Sequence, residues 1–204
     1  MLKSIIKTVS LKKSVCSLLV VLTIYISTSS FKDNTNAYSP TTDSTISKKA
    51  FMQVYAVLMS PRCMNCHPAG DVPLQGDESK LHTQNVKRGK DGHGMFASKC
   101  SNCHQEANQP GPNMPPGNPK WALPPADMKM VFEGRSAKEL AAQLLDPTMN
   151  GNKTKEDLFK HIAEDTLVLA GWHPAEGKKM PPLSHEEFTA QFKLWLDNGA
   201  YLPD

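Results

Sequence analysis

The sequence predicts an all-α fold made of short helices and long loops. Three segments open with the pattern of a helix capping box, in which a Ser or Thr is followed three positions later by an acidic residue: Ser136 with Glu139, Thr154 with Asp157, and Ser184 with Glu187. No stretch shows the alternation of apolar and polar residues that is typical of a half-buried strand. The 16 prolines among 204 residues favour loops over long regular elements.

An apolar stripe predicts a further helix over "SKKAFMQVYAVLMS", which begins at Ser47. Phe51, Val54 and Leu58 recur at the spacing of one helical face. Pro61 is expected to end this helix, immediately before the first of two cysteine motifs.

The clearest predicted helix is the last one, in "SHEEFTAQFKLWLDNG". Phe188, Phe192, Trp195 and Leu196 fall on one face, which is therefore expected to be buried. Gly199 is expected to adopt the left-handed conformation that closes a helix C-terminus.

The first 30 residues resemble a targeting segment. Four lysines precede an apolar run over residues 15–26, and the small residues of "STSS" follow. The run is shorter than the roughly 20 residues that span a bilayer, so a cleaved signal peptide over 1–30 is predicted, with an uncleaved N-terminal anchor as the alternative. The polar stretch 31–47 is expected to be a flexible linker, and 48–204 the folded domain. Export to the periplasm follows, with membrane tethering if the segment is retained.

The net charge of +3 belongs to that N-terminal segment. Residues 1–30 hold four of the 23 Lys and Arg and none of the 20 Asp and Glu, so the remainder has 19 basic against 20 acidic side chains. This balance gives no indication of a nucleic-acid or acidic-membrane partner.

Four of the five cysteines lie in two copies of the pattern C-x-x-C-H: Cys63, Cys66 and His67, then Cys100, Cys103 and His104. This pattern is the attachment site of a c-type haem. Each cysteine thiol adds to a vinyl group of the porphyrin, and the histidine binds the iron from the proximal side. The sequence therefore predicts two covalently attached haem c groups, with the four cysteines holding the porphyrins and the two histidines binding iron.

Two other uses of the cysteines, a zinc site and a disulfide or redox site, fit the sequence less well. A zinc site made of two C-x-x-C pairs separates them by about 15–20 residues, whereas Cys66 and Cys100 lie 34 positions apart. A disulfide or a thioredoxin-like redox site would leave both adjacent histidines without a role. Haem attachment uses all six residues.

The chain resembles small exported di-haem cytochromes c of the class I type. The similarity lies in "GMFASKCSNCH" around the second motif and in "KKMPPLSHEEFTAQFKLWLDNGA" at the C-terminus. It implies short helices and long Pro-rich loops packed around the two haems, which are attached outside the cytoplasm. A weaker similarity, in "HPAGDVPLQGD", "NVKRGKDGHG", "MPPGNPKW" and "MVFEGRS", is to bacterial di-haem proteins labelled isoquinoline 1-oxidoreductase subunit. That similarity implies a molybdenum hydroxylase as redox partner.

The residues on the distal side of each iron are less closely specified. Met114 and Met180 each precede two prolines, which would stiffen a loop that presents sulfur to iron; Met114 is a candidate for the first haem and Met180 for the second. Either methionine can equally be a core gap-filler.

Histidines supply further distal candidates. His82 lies between the motifs and is a candidate for either haem, and His161 lies on a predicted helix, where the alternative is a half-exposed surface histidine. Met130 is a further candidate. The three remaining histidines are expected to be solvated: His93, His173 and His185. Trp121 and Trp172 are expected either at haem edges or in the core.

Two haems in one small domain predict an electron carrier, in which the short segment between the motifs keeps the haems close. Its expected partners are a dehydrogenase, such as the molybdenum hydroxylase above, or a terminal reductase. The alternative is a haem enzyme, either a peroxidase or a small-oxide reductase, with one open distal position and a nearby acid or base. A sensing or structural module is a third hypothesis without positive support.

Overall fold

The computed structural model describes residues 40–204, with side chains from residue 43 onward. The predicted signal peptide and residues 31–39 of the predicted linker lie outside this part. Six α-helices are described: α1 (Pro40–Leu58), α2 (Pro61–Met64), α3 (Ala137–Leu145), α4 (Lys155–Glu164), α5 (Thr166–Leu169) and α6 (His185–Asp197). Among the described residues, none of the helices combines the length and apolar character needed to cross a bilayer.

The all-α prediction is wrong, because two small antiparallel sheets make the fold mixed α/β. Each sheet is a hairpin of two-residue strands: β1 (Leu74–Gln75) with β2 (Lys80–Leu81), and β3 (Gly94–Met95) with β4 (Ser98–Lys99). Two residues cannot display a period of two, so no alternating pattern marks these strands. The hairpins form through local turns. The turn between β1 and β2 begins at Gly76, whose φ of +72° favours glycine.

All three predicted capping boxes are confirmed. In each, the hydroxyl of the N-cap residue accepts a hydrogen bond from the third helical N–H, and the acidic side chain accepts one from the N-cap N–H. These reciprocal bonds satisfy backbone donors that the helix itself leaves free. They begin α3, α4 and α6, and so set where three of the helices start.

The C-terminal end of α6 is also as predicted. Gly199 has a φ of +95°, and its N–H donates to the Leu196 carbonyl at 3.2 Å. The N–H of Ala200 donates to the Trp195 carbonyl at 2.9 Å. Together these two bonds form a Schellman motif, which turns the chain back toward the core.

The core lies between α1 and α6. The rings of Phe51 and Trp195 are 4.6 Å apart, and both side chains are fully buried. Ser47 is buried with them, since its hydroxyl donates to the Trp195 carbonyl and accepts from the N–H of Tyr201, each at 3.0 Å. Helix α1 begins at Pro40, so it overlaps residues 40–47 of the predicted linker.

The same core supports the two cysteine motifs. Helix α1 ends three residues before α2, which carries the first motif. Phe132 belongs to the core cluster and stacks on His67 of the first motif. Trp172 packs on Phe188 of α6 and donates its indole N–H to the Leu183 carbonyl at 2.8 Å, which fixes the turn Ala170–Trp172 beside the motifs.

We expect Ser184→Ala to lower the free energy of unfolding by about 1 kcal/mol, because the first turn of α6 loses its hydroxyl cap. Urea unfolding of the purified protein measures the change. Ser184→Thr keeps the hydroxyl and should stay close to the parent protein. Equal losses in the two variants would contradict the capping role.

The capping carboxylate of Glu187 predicts a dependence of stability on pH. Hydrogen bonds from the backbone N–H and the hydroxyl of Ser184 hold the pKa of Glu187 below its ordinary value of 4.5. A carboxylate with a lowered pKa in the folded state stabilises the protein above its unfolded pKa, and this contribution is lost as the pH falls through the folded pKa. The free energy of unfolding should therefore decrease on acidification below about pH 5.

Glu187→Gln should reduce that decrease, since an amide keeps the capping bond but does not titrate. Urea unfolding at a series of pH values measures both proteins, and Glu186→Gln at the next position is the control. A slope unchanged by Glu187→Gln, or reduced equally by Glu186→Gln, would show that the pH dependence arises elsewhere.

Candidate cofactor site

The first cysteine motif forms a single helical turn. The N–H of Cys66 donates to the Cys63 carbonyl at 3.2 Å, and the N–H of His67 donates to the Met64 carbonyl at 2.9 Å. Side chains three positions apart on a helical turn are neighbours on one face. The two sulfurs of the motif therefore lie side by side, with the histidine following directly.

The second motif repeats this turn on a 3₁₀-helix, Cys100–Asn102. The N–H of Cys103 donates to the Cys100 carbonyl at 3.2 Å, which matches the bond from Cys66 to Cys63 in the first motif. The N–H of His104 donates to the same carbonyl at 2.9 Å. The hairpin of β3 and β4 leads into the turn, so a rigid element fixes its start.

All four of these cysteines are free thiols. Burial raises the pKa of Cys63 to about 12 and that of Cys66 to about 11, so both sulfurs are protonated at neutral pH. Burial raises the pKa of Cys100 as well.

The ring of His67 is held in one orientation from two sides. Its Nδ1 lies 2.6 Å from the carbonyl oxygen of Met130, and the Phe132 ring stacks on it at 3.9 Å with an 8° interplanar angle. Burial lowers the pKa of His67 to about 4, so the ring is neutral. Because a carbonyl only accepts, Nδ1 carries the proton and Nε2 is left with a free lone pair.

His104 is held in the same way by different residues. Its Nδ1 lies 2.7 Å from the Pro116 carbonyl oxygen, and the Trp121 ring stacks on it at 4.1 Å with a 10° interplanar angle. Burial lowers the pKa of this histidine too. Both motifs therefore present a neutral imidazole with Nε2 free, which is the form that binds a metal.

The two segments that hold the histidines have unusual backbone geometry. Met130 has a φ of +46°, which costs a non-glycine residue on the order of 1–3 kcal/mol. Next to Pro116, Gly117 approaches Ala107 so closely that a Cβ at this position would lie 2.1 Å from the Ala107 carbonyl. The carbonyls of Met130 and Pro116 are thus positioned by a strained backbone at one segment and by close backbone packing at the other.

One cavity of about 630 Å³ lies between the motifs, and its lining includes Cys66, Cys100, Cys103 and His104. Its volume falls within the roughly 300–1,000 Å³ typical of small-molecule and cofactor sites. Four cationic side chains also line it, Arg62, Lys80, Lys99 and Lys178, and so do two carboxylates, Asp77 and Glu78, which pair with Arg62 and Lys80. The two cations left over, Lys99 and Lys178, suit a large apolar group that carries carboxylates, as haem does.

Three lining residues have a buried polar atom without a hydrogen-bond partner: Arg62 at Nε, Asn65 at Oδ1 and His82 at Nδ1. Buried polar groups are almost always paired, so unpaired ones mark a place where a partner is missing. These atoms comprise donors and acceptors on the wall of one cavity. The residues around the second motif therefore fit a bound group with both an apolar body and polar atoms, whereas Cys63 and His67 of the first motif do not line this cavity.

The proposed distal ligands are distributed unevenly. His82 and Met114 line the cavity. Met180 is 56% exposed and does not contribute to the lining. His161 lies in a separate shallow recess, where its Nδ1 is 3.4 Å from Asp165, although its charge contributes to the lowered pKa of His67.

Several residues of the site were not identified from sequence. His173, expected to be solvated, is exposed yet lines the cavity, and its Nδ1 lies 3.1 Å from the Leu169 carbonyl. Phe132 and the Met130 carbonyl belong to the site, and neither has a local signal in the sequence. Of the two tryptophans, Trp121 stacks on a motif histidine and Trp172 lies in the core.

Within residues 40–204, no group of three or more His, Cys, Asp or Glu side chains is arranged to hold a metal ion by itself. The chain matches no family model, no curated protein and no solved structure.

We expect Gly117→Ala to destabilise the protein by about 1–3 kcal/mol, because the added methyl group overlaps the Ala107 backbone and displaces the loop that holds His104. Gly70→Ala is the matched control, since its nearest atom outside the adjacent residues is 4.0 Å away. Urea unfolding compares the two variants. A Gly117→Ala protein as stable as the Gly70→Ala protein would contradict the close approach.

Proposed function

We propose that this protein is an exported c-type cytochrome that binds two haems covalently and carries electrons. The observation that carries the proposal is the repetition of one arrangement. Each motif is a helical turn with adjacent thiols, and each motif histidine is neutral, stacked on an aromatic ring and bonded through Nδ1 to a backbone carbonyl. A redox pair of cysteines gives no reason to fix both histidines in this way.

The assignment of roles follows from the chemistry of each group. The thiols of the two motifs would form the thioether bonds to the porphyrins, and Nε2 of His67 and of His104 would bind the irons. Haem iron, when bound, alternates between the ferric and ferrous states and so transfers one electron. The carbonyls of Met130 and Pro116 keep each ring oriented and make its Nε2 a stronger donor.

The lining of the cavity supports a binding role beyond the six motif residues. Arg62 lies on the wall with an unpaired buried Nε, while its Nη2 pairs with Asp77 at 2.8 Å. Lys99 and Lys178 add positive charge to the same wall, while Lys80 is paired with Glu78. These side chains are suited to the carboxylates of a porphyrin, with the apolar lining excluding water from its body.

The arrangement favours transfer of electrons between two sites within the chain. Cys66 of one motif and Cys100 of the other line one cavity, although Cys63 and His67 do not. Two groups attached there would be neighbours, so an electron that arrives at one can pass to the other. The partners that we propose are a dehydrogenase, with a molybdenum hydroxylase as one example, or a terminal reductase in the periplasm.

The proposal is tested by producing the full chain in a host that matures c-type haems. We expect intact mass to give two haems per chain, and the reduced spectrum to be that of low-spin haem with no response to carbon monoxide. Changing both Cys100 and Cys103 to Ser should leave one haem. Cys16→Ser, outside both motifs, should leave two.

A chain exported without haem would overturn the proposal. Turnover of peroxide or a small oxide at a reduced, carbon monoxide-binding iron would instead favour the haem enzyme. A redox titration adds a separate criterion, because a carrier with two haems should take up two electrons per chain reversibly.

A further inference from the structure

We infer that His82 is the sixth ligand of the haem attached at Cys100 and Cys103. This inference rests on the proposed function, because it concerns the face of that haem opposite His104. The position of the ring, its unpaired nitrogen and the geometry of the competing side chains carry it.

The position of His82 is fixed by the first hairpin. Strand β1 is tied to the first motif by a hydrogen bond from the N–H of Leu74 to the Asn65 carbonyl at 3.0 Å. The chain returns through β2, and the N–H of His82 donates to the Pro73 carbonyl at 2.9 Å. The imidazole thereby lies on the wall of the cavity that His104 also lines. A short, doubly anchored hairpin thus carries the ring, rather than a free loop.

The hydrogen bonding of His82 differs from that of every other histidine. All seven histidines lie within the described part of the chain, and six have a ring nitrogen placed against a carbonyl or carboxylate oxygen: His67, His93, His104, His161, His173 and His185. The Nδ1 of His82 is buried and has no partner. An unsatisfied buried group of this kind destabilises the folded protein, and a bound metal would offset that loss.

His82 also shares a cavity with the histidine that it would oppose. Both rings line the same cavity. A group that fills this cavity and is bound by Nε2 of His104 would therefore also meet the unpaired imidazole of His82.

The two competing side chains on the wall are less well placed. Met114 is 39% exposed, so part of its side chain faces solvent. His173 is exposed, and its Nδ1 is already bonded to a carbonyl. Of these three side chains, only that of His82 has a buried ring nitrogen without a partner.

Ligation by two histidines has a measurable consequence. A methionine ligand raises the reduction potential of a haem, so a haem with two histidine ligands should titrate at a lower potential than one with a histidine and a methionine. The haem at the second motif is accordingly expected to have a lower reduction potential than a methionine-ligated haem in the same cavity would have.

The first measurement uses the unmodified two-haem protein. Electron paramagnetic resonance and near-infrared magnetic circular dichroism of the oxidised form should give a bis-histidine signal from at least one haem. Absence of any such signal would overturn the inference, whatever the variants do.

The variants then locate the ligand. His82→Ala should keep two covalent haems but gain a high-spin signal and bind one more equivalent of carbon monoxide per chain than the parent. His82→Met should restore a low-spin haem with a raised potential and a methionine-to-iron charge-transfer band. His93→Ala, an exposed histidine whose ring bonds to its own loop, is the matched control and should be unchanged.

The outcomes separate the two levels of the proposal. If both haems are attached and His82→Ala leaves the spectrum and carbon monoxide binding unchanged, His82 is not the ligand and the proposed function is untouched. The same loss of ligation in Met114→Ala or His173→Ala instead of His82→Ala would assign the site to that residue. A chain that carries no haem overturns both.

Discussion

The hydrogen bond between a histidine Nδ1 and a backbone carbonyl is the interaction on which the site depends. It fixes the tautomer of His67 and of His104, sets the plane of each ring, and leaves Nε2 as the only free nitrogen. The two carbonyls come from segments without regular secondary structure, so other contacts must hold those segments. Phe132 does this at the first motif by joining the core, and Gly117 does it at the second by packing against Ala107.

The order of these segments in the chain explains why the two motifs belong to one unit. The carbonyl for His104 lies 12 residues later, at Pro116, whereas the carbonyl for His67 lies 63 residues later, at Met130. The second motif and its partner segment are therefore enclosed between the first motif and its partner segment. Two cytochrome modules in tandem would place each partner segment beside its own motif. In this nested arrangement the segment that completes the first site follows the whole of the second site in the chain.

Sequence alone predicted those features whose cause is local. The capping boxes of α3, α4 and α6 and the glycine at position 199 depend on residues within four or five positions, and they were found where expected. The hairpins were missed, because strands of two residues have no periodicity. The carbonyl of Met130 was also missed. Every residue has a backbone carbonyl, so residue type gives no signal, and the left-handed φ that directs this one toward His67 is imposed by tertiary packing. The buried, unpaired nitrogen of His82 is likewise visible only after folding.

The hairpin that carries His82 links the two sites mechanically. Its first strand is bonded to Asn65 in the first motif, while His82 at its end faces the cavity beside the second motif. A displacement of the first turn would therefore move the ring that opposes His104, and the hydrogen bond from Arg62 to the Gly76 carbonyl in the same hairpin restrains such a displacement. The short loop between β1 and β2 makes this connection stiff. If both motifs hold haem, the geometry at one iron is thus set partly by the segment that holds the other, so the two reduction potentials should respond together to changes in this hairpin.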